Sequence, residues 1–135
     1  NRIVELGLTE IFFREDLAFL AYSPLGFGHL TGKYLKDPKS PGRATLFPGY
    51  AKRYNKPGVS RAIKRYLNLA DDFNLSPTEL ALSFVYSQWF VKSTIIGATT
   101  MDQLKQNINA YQTKLPEDVI DRIDQIHLEV MNPAP

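Results

Sequence analysis

Two short apolar runs, Leu17 to Tyr22 (LAFLAY) and Ser93 to Ile96 (STII), each followed by a loop and then by helical periodicity, constrain this chain more than any other feature. The first has no polar alternation, as a strand buried on both faces requires, and Ser23-Pro24 with Gly26 and Gly28 close behind stops it. Gly97 stops the second. Strand, loop and helix repeated in this order imply parallel neighbours, because a parallel pair needs a crossover and the crossover helices cover the sheet.

The helices are read from spacing and caps. Lys36 to Gly58 is rich in proline and glycine and reads as a long loop. Ser60 suits the cap of a helix whose apolar side is Ile63, Tyr66, Leu67, Ala70 and Phe73. In Ser76-Pro77-Thr78-Glu79 the serine can cap, the proline suits the first turn, and the glutamate can return a bond to the cap amide; Leu80, Ala81, Phe84 and Val85 then face the core. Thr100-x-x-Gln103 caps a further helix that buries Leu104 and Ile108, and Pro116 starts a last one with Val119, Ile120, Ile123 and Ile126 inward. Glu5 to Glu15 is one more helical segment. Two parallel strands cannot cover four or five helices, and a complete (β/α)8 barrel needs about 250 residues, whereas this chain has 135. The expected fold is therefore α/β: a helix-rich part of such a barrel, with open strand edges that favour self-association or poor solubility.

Composition excludes several classes. With 44% apolar residues the chain suits one hydrophobic core. A net charge of +2, spread without long basic runs, disfavours nucleic acid and anionic membranes as partners. The absence of cysteine removes disulfides, a thiolate nucleophile and cysteine-based zinc sites, and fits a cytoplasmic protein. His29 and His127 stand far apart, and no metal site is expected. There is no apolar stretch of membrane-spanning length and no signal peptide; the start at Asn1, without methionine, suggests a trimmed piece.

Two segments carry candidate chemistry. Tyr22-Ser23-Pro24-Leu25-Gly26-Phe27-Gly28, followed by Leu30-Thr31-Gly32-Lys33-Tyr34, lies at a strand end, where ligand sites of βα barrels are found. Its glycines let the backbone approach a ligand and expose amides, and Lys33 and Arg43 add positive charge suited to a pyrophosphate. The same letters suit a plain turn with a solvated lysine, and composition leaves both readings open. The segment is neither a Walker A loop nor a GxGxxG fingerprint. Gly97-Ala98-Thr99-Thr100-Met101-Asp102-Gln103 opens a helix at the second strand end, where amides and the Thr99 and Thr100 hydroxyls form a generic anion site; capping by Thr100 alone accounts for the letters equally well. His29 reads as a solvated loop histidine and His127 as a helix packing residue. Tyr34, Tyr50, Tyr54, Tyr66, Tyr86 and Tyr111 read as loop or helix-face residues without a catalytic role, Trp89-Phe90 as a packing cap, and Asn132 to Pro135 as an extended tail.

AYSPLGFGHLTGKY and IIGATTMDQLKQNI, with Lys33 and Arg43 between them, resemble the seventh- and eighth-strand segments of aldo-keto reductases. NRIVELGL, LGFGHLTGKYL and ATTMDQLKQNI are most similar to the Tas-like bacterial branch, and the resemblance runs from Asn1 to Pro135. It implies that residues 1–135 are the C-terminal portion of a single (β/α)8 TIM barrel domain, with about two parallel strands and four or five helices. It further implies an NADP(H) site. Tyr22 would lie near the nicotinamide, Ser23, Pro24, Leu25, Gly26 and Phe27 would wrap the pyrophosphate, and Lys33 and Arg43 would close over the phosphates. Gly97 and Thr99 would hold the 2′-phosphate end, Gln103 the adenosine, and Gln106 and Asn107 the adenine. Gln106 stands where the family often has an acidic residue, and the basic residue that other branches place near the 2′-phosphate is missing, so the resemblance speaks to binding more than to choosing NADPH over NADH. The family's catalytic Asp, Tyr, Lys and His come from the first four strands and have no counterpart here. The implied function is the cofactor-binding part of an oxidoreductase that reduces a small carbonyl substrate, an aldehyde or ketone, by hydride transfer, this chain alone being inactive. The alternative is a noncatalytic NADP(H)-sensing subunit like the potassium-channel β-subunits.

Overall fold

In the computed structural model, which describes residues 1–47, 49 and 51–134, the two apolar runs form one parallel two-stranded sheet. Strand β1 is Phe19–Tyr22 and β2 is Val91–Ile95. Phe19 pairs with Val91, then Leu20, Ala21 and Tyr22 pair with Ser93, Thr94 and Ile95, so Lys92 is an extra residue at a bulge. Tyr50, and Pro135 of the expected tail, lie outside the described residues.

Five helices of seven or more residues accompany the sheet: α1 (Leu8–Arg14), α4 (Pro57–Asp72), α5 (Pro77–Ser87), α6 (Met101–Asn109) and α7 (Glu117–Glu129). Two single-turn helices, α2 (Lys33–Lys36) and α3 (Arg43–Leu46), fall between β1 and α4. Short 3-10 turns add Ile3–Leu6, Gly26–Thr31, Lys52–Tyr54 and Ala110–Gln112. This helix-rich chain with two parallel strands is part of a (β/α)8 barrel, as the element count required. Among the described residues no helix is long and apolar enough to cross a membrane.

The core is helical. Leu69 and Ala70 of α4, Leu80 of α5, and Val119, Ile123 and Ile126 of α7 pack together, with Tyr66, Phe73 and Phe84 at their margin. Arg2 ties the start of the chain to this layer: its guanidinium bonds Glu5 twice, at 2.7 and 2.6 Å, and Asp124 of α7 at 2.5 Å, and lies over the Phe84 ring. Those two carboxylates outweigh the partial burial of Arg2 and hold it firmly charged, the Glu5 bonds most of all.

Several expectations are corrected. The first strand is not buried on both faces: Phe19 packs on Phe12 and Phe90, while Leu20 and Tyr22 on the other face are 55% and 69% exposed. Helix α4 starts at Pro57, not beyond a Ser60 cap, because proline has the right φ for a first turn and no amide to leave unpaired. The long loop holds α3 and the 3-10 turn at Lys52–Tyr54. On α5 the buried positions are Thr78, Leu80, Leu82 and Ser83, with Ala81, Phe84 and Val85 only partly covered. On α6, Asn107 is the buried residue and Ile108 is 56% exposed. Phe90 is buried but Trp89 is 63% exposed, edge-on to Phe13 and Phe90. The tail is tied down, with Asn132 Oδ1 accepting from the Arg2 amide at 2.7 Å and the Ala134 carbonyl accepting from Asn1 at 2.8 Å.

Candidate anion-binding site at the strand ends

Because Tyr22 pairs with Ile95 in a parallel ladder, the chain leaves both strands at the same end of the sheet. The two loops singled out in the sequence therefore start side by side.

The first loop is built on left-handed backbone: Ser23 (φ +54°), Gly26 (+53°), Phe27 (+56°), Gly28 (+87°) and Gly32 (+79°). The Gly26 amide donates to the Ser23 carbonyl at 2.9 Å, and the Gly28 and Leu30 amides donate to the Leu25 carbonyl at 3.0 and 3.2 Å, which fixes the coil. A side chain on Gly28 would put its Cβ 3.1 Å from the Lys33 Cε. Ser23, Pro24 and Gly26, with Arg53 and Tyr54, line part of an open and largely apolar groove of about 530 Å³ that continues along Phe19, Ile63, Leu80 and Phe84 and that Lys33, Arg43 and Thr99 do not line. Tyr22 lines it too, although its side chain stands largely exposed on the open face of the sheet.

Pro41, Gly42, Arg43, Arg53 and Tyr54 lie back over this loop. Lys33 Nζ donates to the Pro41 carbonyl at 2.9 Å and sits 4.8 Å from the centre of the Tyr34 ring. Gly42 lies so close that an added Cβ would meet Tyr34 Oη at 2.3 Å and Lys33 Nζ at 2.5 Å. The Arg43 guanidinium carbon is 5.1 Å from the centre of the Phe27 ring, and that of Arg53 is 4.9 Å from the same ring. Tyr54 stacks on His29 at 4.5 Å and meets Phe27 edge-on at 5.5 Å.

His29 is not solvated, contrary to expectation. It lies half-buried against Tyr54 and Tyr34, and its Nε2 is shielded with no hydrogen-bond partner among the described residues. Burial, and then the nearby Lys33 charge, hold its pKa below the ordinary histidine value. Burial also raises the Tyr54 phenol, against the opposing charge of Arg53, so Tyr54 stays neutral.

At the second strand end Thr100 caps α6, its Oγ1 accepting from the Gln103 amide at 3.2 Å. Gln103 does not return a bond to the Thr100 amide. Its Oε1 instead accepts from the Thr99 amide at 2.9 Å and the Thr99 hydroxyl at 3.1 Å. Two exposed donors thus converge on one oxygen. Gly97 faces open space, its carbonyl accepting from Asn107 Nδ2 at 3.3 Å. Asn107 is 2% exposed and shapes the loop from beneath, while Gln106 is exposed and donates to Ser76 Oγ at 3.2 Å.

Tyr22, Ser23, Pro24, Leu25, Gly26, Phe27, Lys33 and Arg43 are thus gathered at one strand end, and Gly97, Thr99, Gln103, Gln106 and Asn107 at its neighbour. Sequence reasoning missed Arg53 and Tyr54. Charge balance, not charge runs, was the available signal: between Lys33 and Lys56 stand seven cationic side chains and one carboxylate, Asp37.

A parallel strand pair with helical cover, with two glycine-bearing loops at its C-terminal ends, fits part of a (β/α)8 barrel. The chain belongs to the aldo/keto reductase family, whose sequence profile matches residues 1–128. Protein tas of Escherichia coli (strain K12) is 46% identical over 136 residues, covering 100% of this chain and 39% of that protein. An aldo-keto reductase of Babesia bovis is 39% identical over 96% of this chain and 48% of its own length. A Schizosaccharomyces pombe protein named for the β-subunit of voltage-gated potassium channels is 29% identical over 88% of this chain and 39% of its own length. The chain therefore spans less than half the length of the curated relatives it matches.

Proposed function

We propose that this chain is the cofactor-binding part of an NADP(H)-dependent oxidoreductase that reduces aldehydes or ketones. The observation that carries the reading is the pairing of Tyr22 with Ile95, which sets two phosphate-suited loops at one end of the sheet. The residues present suit a dinucleotide. Thr99 offers an amide and a hydroxyl aimed at a single oxygen, now the neutral Gln103 Oε1, and a phosphate oxygen is a stronger acceptor for the same two donors. Lys33, Arg43 and Arg53 bring positive charge to the coil around Phe27.

In this reading Tyr22, exposed at the strand end, offers its ring to the nicotinamide, and Ser23 to Phe27 wrap the pyrophosphate. Lys33 pins the returning segment at Pro41 and so places Arg43 over the phosphates. Thr99 and Gly97 take the 2′-phosphate end, Gln103 and Gln106 the adenosine, and Asn107 sets the Gly97 turn. Bound NADPH supplies the hydride that a carbonyl carbon accepts. The acid that protonates the carbonyl oxygen has no counterpart among these residues, so this chain is expected to bind and not to reduce.

The test is titration with NADPH, followed by nicotinamide fluorescence or calorimetry, with NADH for comparison and an Arg43→Ala/Thr99→Ala double variant. Saturable binding that the variant loses supports the reading; no binding by a chain shown to be folded sinks it. The potassium-channel relatives favour a second reading, a noncatalytic NADP(H)-sensing subunit. It predicts the same binding but no catalytic Tyr and Lys in the rest of the protein.

A further inference from the structure

Arg2, Arg14, Arg65 and Arg122 each hold a carboxylate. Arg43, Arg53 and Arg61 show no such pair among the described residues; of these, Arg43 and Arg53 are directed at the Phe27 ring. Since both distances are measured from one centroid, 5.1 and 4.9 Å, two positive charges lie within 10 Å of each other. Two guanidinium groups on one ring, in a segment whose one acid is Asp37, leave net positive charge there for an anion to meet. Arg53 is also the more buried of the two. It is half-buried between Phe27 and Tyr54, Tyr54 is held by the His29 stack, and Arg53 lines the groove beside Ser23, Pro24 and Gly26. A guanidinium already stacked against two aromatic rings presents its planar donor fork with little further loss of freedom.

We infer that Arg53 is a phosphate-binding residue which, with Arg43 at the same Phe27 ring, takes up a diphosphate group. This deepens the proposed cofactor reading and rests on it for the identity of the ligand, though not for its chemistry.

The experiment measures the affinity of this chain for NADPH and, separately, for inorganic pyrophosphate. It compares the wild type with Arg53→Met, which keeps an apolar stem, Arg53→Lys, which keeps the charge, and Lys114→Met, which removes an exposed charge elsewhere. Charge-assisted contacts to phosphate predict that Arg53→Met weakens both ligands by about tenfold or more. Arg53→Lys should recover part of that loss, and Lys114→Met should change little. Wild-type NADPH affinity in Arg53→Met, or equal losses in the Met and Lys variants, overturns the assignment and leaves the cofactor reading standing. Arg53-dependent pyrophosphate binding without NADPH binding upholds the assignment and removes the cofactor reading. If the folded wild type binds neither ligand, both fall.

Discussion

At Gly32 the backbone turns through φ +79° directly against α4, where an added Cβ would lie 2.9 Å from both methyl carbons of Leu67. The methyls can shift, but the left-handed backbone cannot be relieved as cheaply. Gly32→Ala should therefore lower stability by about 1–2 kcal/mol, read as a lower thermal midpoint; an unchanged midpoint would mean that the coil relaxes. His29 yields a pH prediction. Its folded pKa is depressed by burial, and so is that of His127, so the unfolded chain binds protons more readily than the folded one below the ordinary value of about 6.5. Stability is then full above that value and is lost as pH falls from it toward the lower folded values. Melting midpoints measured between neutral and mildly acidic pH should fall, and His29→Gln should flatten the slope. The glycine-marked residues of both loops were legible in sequence because strand ends and left-handed turns are encoded locally. Arg53, Tyr54 and the burial of His29 were not, because they depend on contacts between residues 26–29 and 53–54 that only the returning segment creates.

Helix α5 shows how a local signal can serve the whole site. Ser76 Oγ accepts from the Glu79 amide at 3.1 Å, Glu79 reaches back to the Ser76 amide at 3.4 Å, and the other Glu79 oxygen accepts from Thr113 at 2.6 Å. Ser76 Oγ also accepts from Gln106 of α6. Ser76→Ala should cost about 1 kcal/mol through the lost cap, and by freeing Gln106 it should weaken NADPH binding more than a cap on a remote helix would. Chemical denaturation and a cofactor titration check the two effects separately. The Ser76–Glu79 capping box and the apolar spacing of α7 could be read without a structure, since both bind residues three or four apart, whereas Gln103 turns to Thr99 instead of closing the box at Thr100. The start of α4 could not: Pro57 and Ser60 are both credible helix openers, and the burial of Val59 inside the helix decides for the proline. The inward side of α6 was misjudged for a similar reason, because the hydrogen bond from Asn107 to the Gly97 carbonyl turns a polar residue inward where spacing alone favoured Ile108.

For the whole molecule, the arithmetic of two strands against five helices already pointed to part of a barrel, and what it left open is how the uncovered face behaves. Leu20, Tyr22 and Ile95 are 55%, 69% and 57% exposed on a sheet of only two strands, each with a free edge. Apolar side chains beside unpaired backbone donors and acceptors recruit further strands, whether from the rest of a barrel or from another copy. For this chain alone, sedimentation should show association that increases with concentration. Leu20→Glu with Ile95→Lys, which charges that face without entering either loop, should shift the population toward monomer. A wild type that stays monomeric throughout would mean that the face is covered by rearrangement within the chain, and the double variant should then lower stability instead of changing assembly.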